Sequence, residues 1–307
     1  MSSFSQIPEV VIDHVRSVFE RANEAVSRAL ADHPSMHEES LDQALIASLT
    51  VQPSAFFSQE RAAVAIEAHW LGGRRMYGRW EIADIALLIL LRREGHLLER
   101  KAALLQTKRL YSREISVGEL DQSDYIIGIG RLGDRTGQLM PLTKPRAFSF
   151  SEECVYGAMA SGAPQIERID QYEREKRIPV HYAFYNPVTL PFKAAYPSQT
   201  GVGTDLENSL GCRVGPASDV HRIVNSLPRG QAPSFDALRS MSDAKPDDPF
   251  ASSGCRLEHF VADRVLRCLD GALFDGSSDE RLESLFYERS APISAAIAIT
   301  VDIGEDS

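Results

Sequence analysis

The sequence predicts a mixed α/β (α+β) fold, with a central mixed sheet, an N-terminal helix and a C-terminal α/β extension. Three observations carry that expectation. Residues 8–31 repeat apolar side chains at helical spacing. Two apolar runs, 82–91 and 101–110, flank a polar turn at Glu94–Gly95 and read as a strand hairpin. Two further β-rich runs, 179–185 (PVHYAFY) and 295–303 (AAIAITVDI), lie far from it along the chain.

Taken in order, the N-terminal helix places Val11, Ile12, Val15, Val18, Phe19, Ala22, Val26 and Leu30 on one stripe, with Pro8 in its first turn. A loop around His33–Pro34 follows, and Pro34 rules out a helical His33/His37 metal pair. Residues 40–50 suit a short second helix. Ser58 suits an N-cap, Arg61–Leu71 a helix after it, and Gly72–Gly73 its end. Beyond the hairpin, 124–131 reads as a strand ending in GIGRLG (128–133). Those letters match a dinucleotide fingerprint, but Pro141 and Pro145 leave no helix to receive a pyrophosphate, so a turn is expected. Residues 150–177 turn helical, and Asn186–Pro187 stops the 179–185 strand. Loop-rich sequence from Lys193 to Pro249 encloses a short helix at 219–227. His221 on it has no evident ligand partners or orienting acid and reads as structural, as does Cys212. Residues 256–274 suit an amphipathic helix.

Composition sets the outer bounds. The chain has 307 residues, 43% hydrophobic and 25% charged, as ordinary globular proteins do. No apolar run is long enough to span a bilayer, and the N-terminus lacks the basic-then-apolar order of a secretory signal. Four scattered cysteines with no metal spacing suit free thiols in the cytoplasm. The net charge of −10 is unevenly spread. Residues 74–113 hold ten Lys/Arg against four acids, leaving −16 for the remainder, and this local field suits a phosphate-bearing ligand.

The polar residues inside the hairpin are the candidate site. Asp84 opens the first strand. Gln106 and Lys108, two apart, project from one face of the second. An acid, an amide oxygen and an ammonium on paired strands could form a hard-cation site with a lysine beside it.

Asp84 followed by Gln106-Thr107-Lys108 resembles the PD-(D/E)xK, or restriction-endonuclease-like, nuclease superfamily in its Gln (QxK) branch. The resemblance covers roughly residues 55–190 and rests on a short motif. It implies an αβββαβ core at 55–192, after an N-terminal helical segment (1–54) and before a C-terminal subdomain (193–307) packed on the core. The missing core strand would lie at Met76–Trp80 or between the hairpin and the later helices. It further implies Mg²⁺ (or Mn²⁺) held by Asp84 and Gln106, with Glu67 on the preceding helix or Glu81 at the strand entry completing the site. Lys108 would act on the attacking water. Arg74, Arg75, Arg79 and Arg109 would meet nucleic acid, DNA rather than RNA. A role in anti-phage defence, alone, as a homo-oligomer or with a partner protein, is the biological setting that the resemblance implies. A binding or accessory module that keeps the fold without cleaving is the alternative, favoured by the neutral Gln106.

Overall fold

A computed structural model describes residues 2–71, 82–114, 146–196, 210–239, 241, 254–274, 280–286 and 292–304. The chain opens with helices α1 (Glu9–Asp32) and α2 (Glu38–Thr50), then strands β1 (Ala55–Phe57), β2 (Ala62–Trp70), β3 (Ala83–Arg93), β4 (His96–Arg109), β5 (Arg113–Glu114) and β6 (Arg146–Phe150). Helix α3 (Pro164–Lys176), β7 (Val180–Tyr185), β8 (Phe192–Tyr196), β9 (Arg213–Pro216), α4 (Ala217–Asn225) and α5 (Phe235–Leu238) follow. The last described elements are β10 (Cys255–Arg256), α6 (Leu257–His259) continuing into a π-helical stretch (Phe260–Leu266), β11 (Ala272–Phe274), α7 (Glu280–Phe286) and β12 (Ile293–Ile303).

The architecture is mixed α/β around a central mixed sheet of nine strands. Its order is β1-β2-β12-β3-β4-β7-β9-β10, and β11 pairs with the first half of β4. The hairpin β3–β4 turns at Glu94 (φ +47°) and Gly95 (φ +80°), two consecutive left-handed residues as a tight primed turn requires. Strand β12 lies between β2 and β3, antiparallel to the first and parallel to the second. Its Ile297, Ile299 and Val301 are fully buried, each worth roughly 1.5–3 kcal/mol of burial. The expected 295–303 strand therefore sits in the middle of the sheet.

Helix α1 buries every residue of its expected stripe. Helix α2 turns Leu41, Leu45, Ile46 and Leu49 toward β2, whose Ala62, Val64, Ile66 and Ala68 face it. No helix among the described residues is long and apolar enough to cross a membrane.

Three expectations need correction. The helix expected over Arg61–Leu71 is strand β2. In AAVAIEAHW so many positions are apolar that helical and alternating periods both fit. Nine consecutive pairs with β12, not the helix propensity of alanine, decide the outcome. The helix expected over 256–274 survives as one turn and the π-helical stretch, then breaks into β11. Within 150–177 only Pro164–Lys176 is helical, starting where Pro164 fits a first turn. The expected strands at 76–80 and 124–131, and the GIGRLG turn, lie outside the described residues.

Candidate functional site

Asp84 stands directly across from Gln106: the β3–β4 register pairs Ile85 with Leu105, so the next pair out is Asp84 and Gln106 on one sheet face. Gln106 Nε2 donates to Asp84 Oδ2. The same carboxylate oxygen accepts the Thr107 backbone N–H at 2.6 Å and the Thr107 hydroxyl at 2.9 Å. The Gln106 carbonyl oxygen accepts from Gln165 Nε2 of α3 at 3.1 Å. The expected convergence is therefore present, but with the amide nitrogen rather than its oxygen toward Asp84. A half-turn of the amide would exchange them.

Lys108 lies two residues on and is buried, its Nζ 3.4 Å from Glu38 Oε2. Glu38 also accepts the Arg109 backbone N–H at 3.3 Å. It sits in the first turn of α2, where the helix dipole favours an acid. One turn along, Asp42 is buried, accepts from the Tyr185 hydroxyl at 2.7 Å and lies 3.1 Å from the Thr107 hydroxyl. Burial, and then the charge of Asp84, push the Asp42 carboxyl well above the usual carboxylate range. Its bonds with Tyr185 and Thr107 only partly oppose this.

Glu38, Asp42 and Thr107 were not singled out from the sequence. The signal existed for Asp42: it falls on the apolar stripe of α2, one turn before Ile46, where an acid needs a partner.

Other sequence candidates fall elsewhere. Glu67, expected mid-helix, is exposed on β2 and pairs with Ala298, which pairs with Leu88. It is thus two strands across and four residues along from Asp84, about 10 Å by about 13 Å. No metal is shared over that span. Arg109 is buried under α2, donating to the carbonyls of Met36 and Pro34 and stacked 4.2 Å from the Tyr111 ring. It holds the α1–α2 loop instead of facing a ligand. Arg92 and Arg93 lie at the far end of the hairpin, eight or nine residues from Asp84 and so about 26–30 Å away. The basic residues therefore do not all gather at the site. Glu81, Arg74, Arg75 and Arg79 lie outside the described residues. Among the described residues, no three His, Cys, Asp or Glu side chains gather as a metal-holding group.

His221 does have an orienting acid. Its Nδ1 is 2.6 Å from Asp170 Oδ1 and its Nε2 is 2.9 Å from the Tyr182 hydroxyl. Tyr182 pairs with Gln106 on the adjacent strand. The chain Asp170–His221–Tyr182 is buried at its inner end and ties α3 and α4 to the sheet beneath the site. Cys212 is buried, its backbone N–H on Asn23 Oδ1 at 2.6 Å, and all four cysteines are free thiols.

Comparison with known proteins gives no match to a family model, to a curated protein or to a solved structure.

Proposed function

We propose that the protein is a divalent-metal-dependent nuclease of the restriction-endonuclease-like kind, hydrolysing phosphodiester bonds in DNA in preference to RNA. The observation that carries this reading is the cross-strand pair Asp84–Gln106 with Lys108 two residues beyond, at one end of an antiparallel hairpin. The order of elements supports it. Helix α2, strands β2, β3 and β4, helix α3 and strand β7 parallel to β4 follow the αβββαβ order. Among the described elements it departs from that order at β1, β5 and β6, which are additional strands, and at β12, which intervenes between β2 and β3.

The oxygen donors suit Mg²⁺ or Mn²⁺, because Mg²⁺ keeps several waters and takes one or two carboxylates instead of a full protein cage. Asp84 would hold the ion together with the Gln106 carbonyl oxygen. The bound ion supplies a Lewis acid for a phosphate oxygen and acidifies a water. The protein's own groups do the rest. Thr107 fixes the Asp84 carboxylate, Glu38 holds the Lys108 ammonium in place, and Lys108 orients the water and meets charge developing on the phosphate.

A second reading has its own observation. One Asp84 oxygen already accepts three protein donors, and Gln106 is neutral. Both favour a nucleic-acid-binding or accessory module that does not cleave. Cleavage and retention assays on wild type and Lys108→Ala, with Mg²⁺ and with chelator, separate the two. The nuclease reading expects Mg²⁺-dependent cutting that falls roughly 10²–10³-fold in the variant. It also expects binding to weaken by about one phosphate contact. Wild type that binds duplex, single strands or RNA yet cuts none of them makes the accessory reading correct. Cutting that survives Lys108→Ala removes Lys108 from the chemistry.

A further inference from the structure

Strand β4 carries a second lysine that the proposed chemistry does not use. Lys101 is fully buried on the opposite face from Gln106, under the N-terminus and the π-helical stretch. Its Nζ donates to the Val265 carbonyl at 2.7 Å and lies 5.0 Å from the Phe4 ring centroid. An ammonium has three N–H donors, and Val265 is its only oxygen acceptor among the described residues. Burial pulls the amine down from the ordinary lysine range, against the opposing pull of Cys268, Asp270 and Glu99. A buried amine short of acceptors is a nucleophile in waiting.

Cys268 is its neighbour. The Cys268 backbone N–H donates to the same Val265 carbonyl at 3.2 Å, so the Lys101 amine and the Cys268 main chain meet on one oxygen, and the Cys268 thiol is close enough to be among the groups that pull the amine up. The residue has φ +62°, a left-handed conformation uncommon for a side-chain-bearing residue. Its Sγ is 3.7 Å from Ser2 Oγ, which donates to Glu99 Oε2 at 2.6 Å. Of the four thiols, Cys154, Cys212 and Cys255 are buried, while Cys268 is partly exposed and open to a small oxidant.

We propose that Cys268 and Lys101 form a reversible sulfenamide cross-link when a hydroperoxide oxidises the Cys268 thiol. The peroxide transfers one oxygen to sulfur, giving the sulfenic acid and leaving water or an alcohol. The Lys101 Nζ lone pair then attacks sulfur. The S–N bond forms, the S–O bond breaks, and the departing hydroxide takes a proton from Nζ and leaves as water. Sulfur has lost two electrons and the peroxide has gained them. A dithiol reverses the reaction by reducing the S–N bond to thiol and amine and becoming a disulfide. The link would pin β4 to the segment after the π-helical stretch. It lies on the sheet face opposite Gln106 and Lys108, and it stands whether or not the nuclease reading does.

The test uses the whole protein treated with hydrogen peroxide, then intact-mass measurement and peptide mapping. The expected product is two hydrogens lighter than the reduced chain, joins the peptides holding Lys101 and Cys268, and returns to the starting mass with dithiothreitol. Cys268→Ser abolishes it. Lys101→Met keeps an apolar stem of similar length and leaves a sulfenic acid that dimedone traps. Should Lys101→Met fold poorly, the wild-type peptide map decides alone. Sulfinic acid at Cys268 with a free Lys101, an unreacted Cys268, or a bridge one oxygen heavier would each overturn the S–N assignment.

Discussion

Asp42 and Asp84 share a single hydroxyl. Thr107 Oγ1 lies 3.1 Å from one carboxylate and 2.9 Å from the other. A hydroxyl has one proton to give, so one acid must bring its own. Asp42 is that acid, since burial and the charge of Asp84 raise it while Asp84 keeps three donors. The proton then runs from Asp42 to Thr107, and the Thr107 proton to Asp84.

The sign of the pH dependence follows. A carboxyl raised in the fold binds its proton more tightly there than in the unfolded chain. Its stabilising contribution is complete below about pH 4 and is lost as pH rises through the folded-state value. Asp42→Asn mimics the protonated acid and should remove that slope. Urea midpoints between pH 4 and 8 should fall for wild type from this source and stay flatter for the variant. An unchanged slope would place the shared proton elsewhere.

Gln106→Glu should leave the fold intact and tighten Mg²⁺ binding, because a second charge then faces the cation where screening is weak. Without metal, the new carboxylate meets Asp84 and loses the donated hydrogen bond, so the apo variant should be less stable by about 1–3 kcal/mol. Calorimetric Mg²⁺ titration together with apo and Mg²⁺-bound melting reads both effects. Equal or weaker affinity in the variant would mean that Gln106 does not touch metal.

Asp270 contributes to the acid limb of stability. Burial alone would raise its carboxyl. The 3.1 Å contact with His181 Nε2, the His181 charge, the Gly271 N–H and Arg264 outweigh it and hold the group at about 2. A depressed carboxyl stabilises the fold above its unfolded value near 4, and that contribution disappears as pH falls toward 2. Asp270→Asn should cost about 2 kcal/mol near pH 6 and almost nothing near pH 2. Equal losses at both pH values would assign the effect to packing.

Removing residues 292–307 should abolish the folded state, because it strips β2 and β3 of nine and ten paired residues, respectively. Far-UV circular dichroism without a cooperative urea transition is the expected result. A cooperative transition in the shortened chain would show that β2 and β3 can close on each other directly.

Much of this was legible because local signals agreed with tertiary context. The Glu94–Gly95 turn with apolar runs on either side gives β3–β4, and the stripe from Val11 to Leu30 gives α1. The pairing of Asp84 with Gln106 needed more than the turn: Arg93 opposite His96 would by itself set Asp84 against Leu105, and the one-residue shift between Leu91 and Arg92 brings Gln106 there instead. Glu67 was misplaced because AAVAIEAHW satisfies both periods and its partner, β12, is more than two hundred residues away. Glu38 joins Lys108 through a helix packing that no local spacing encodes. Arg109 looked like a phosphate ligand by charge, yet the odd-numbered face of β4 is the one covered by α2.

The position of β12 also sets a timetable. Asp84, Gln106 and Lys108 are all made by residue 108, but β3 gains its second neighbour only when residues 293–303 exist. At about 5–20 residues per second, ribosomal synthesis leaves the half-built sheet waiting roughly 10–40 s. Throughout that interval β2 and β3 present bare apolar edges, an invitation to wrong pairing that the cell must shield.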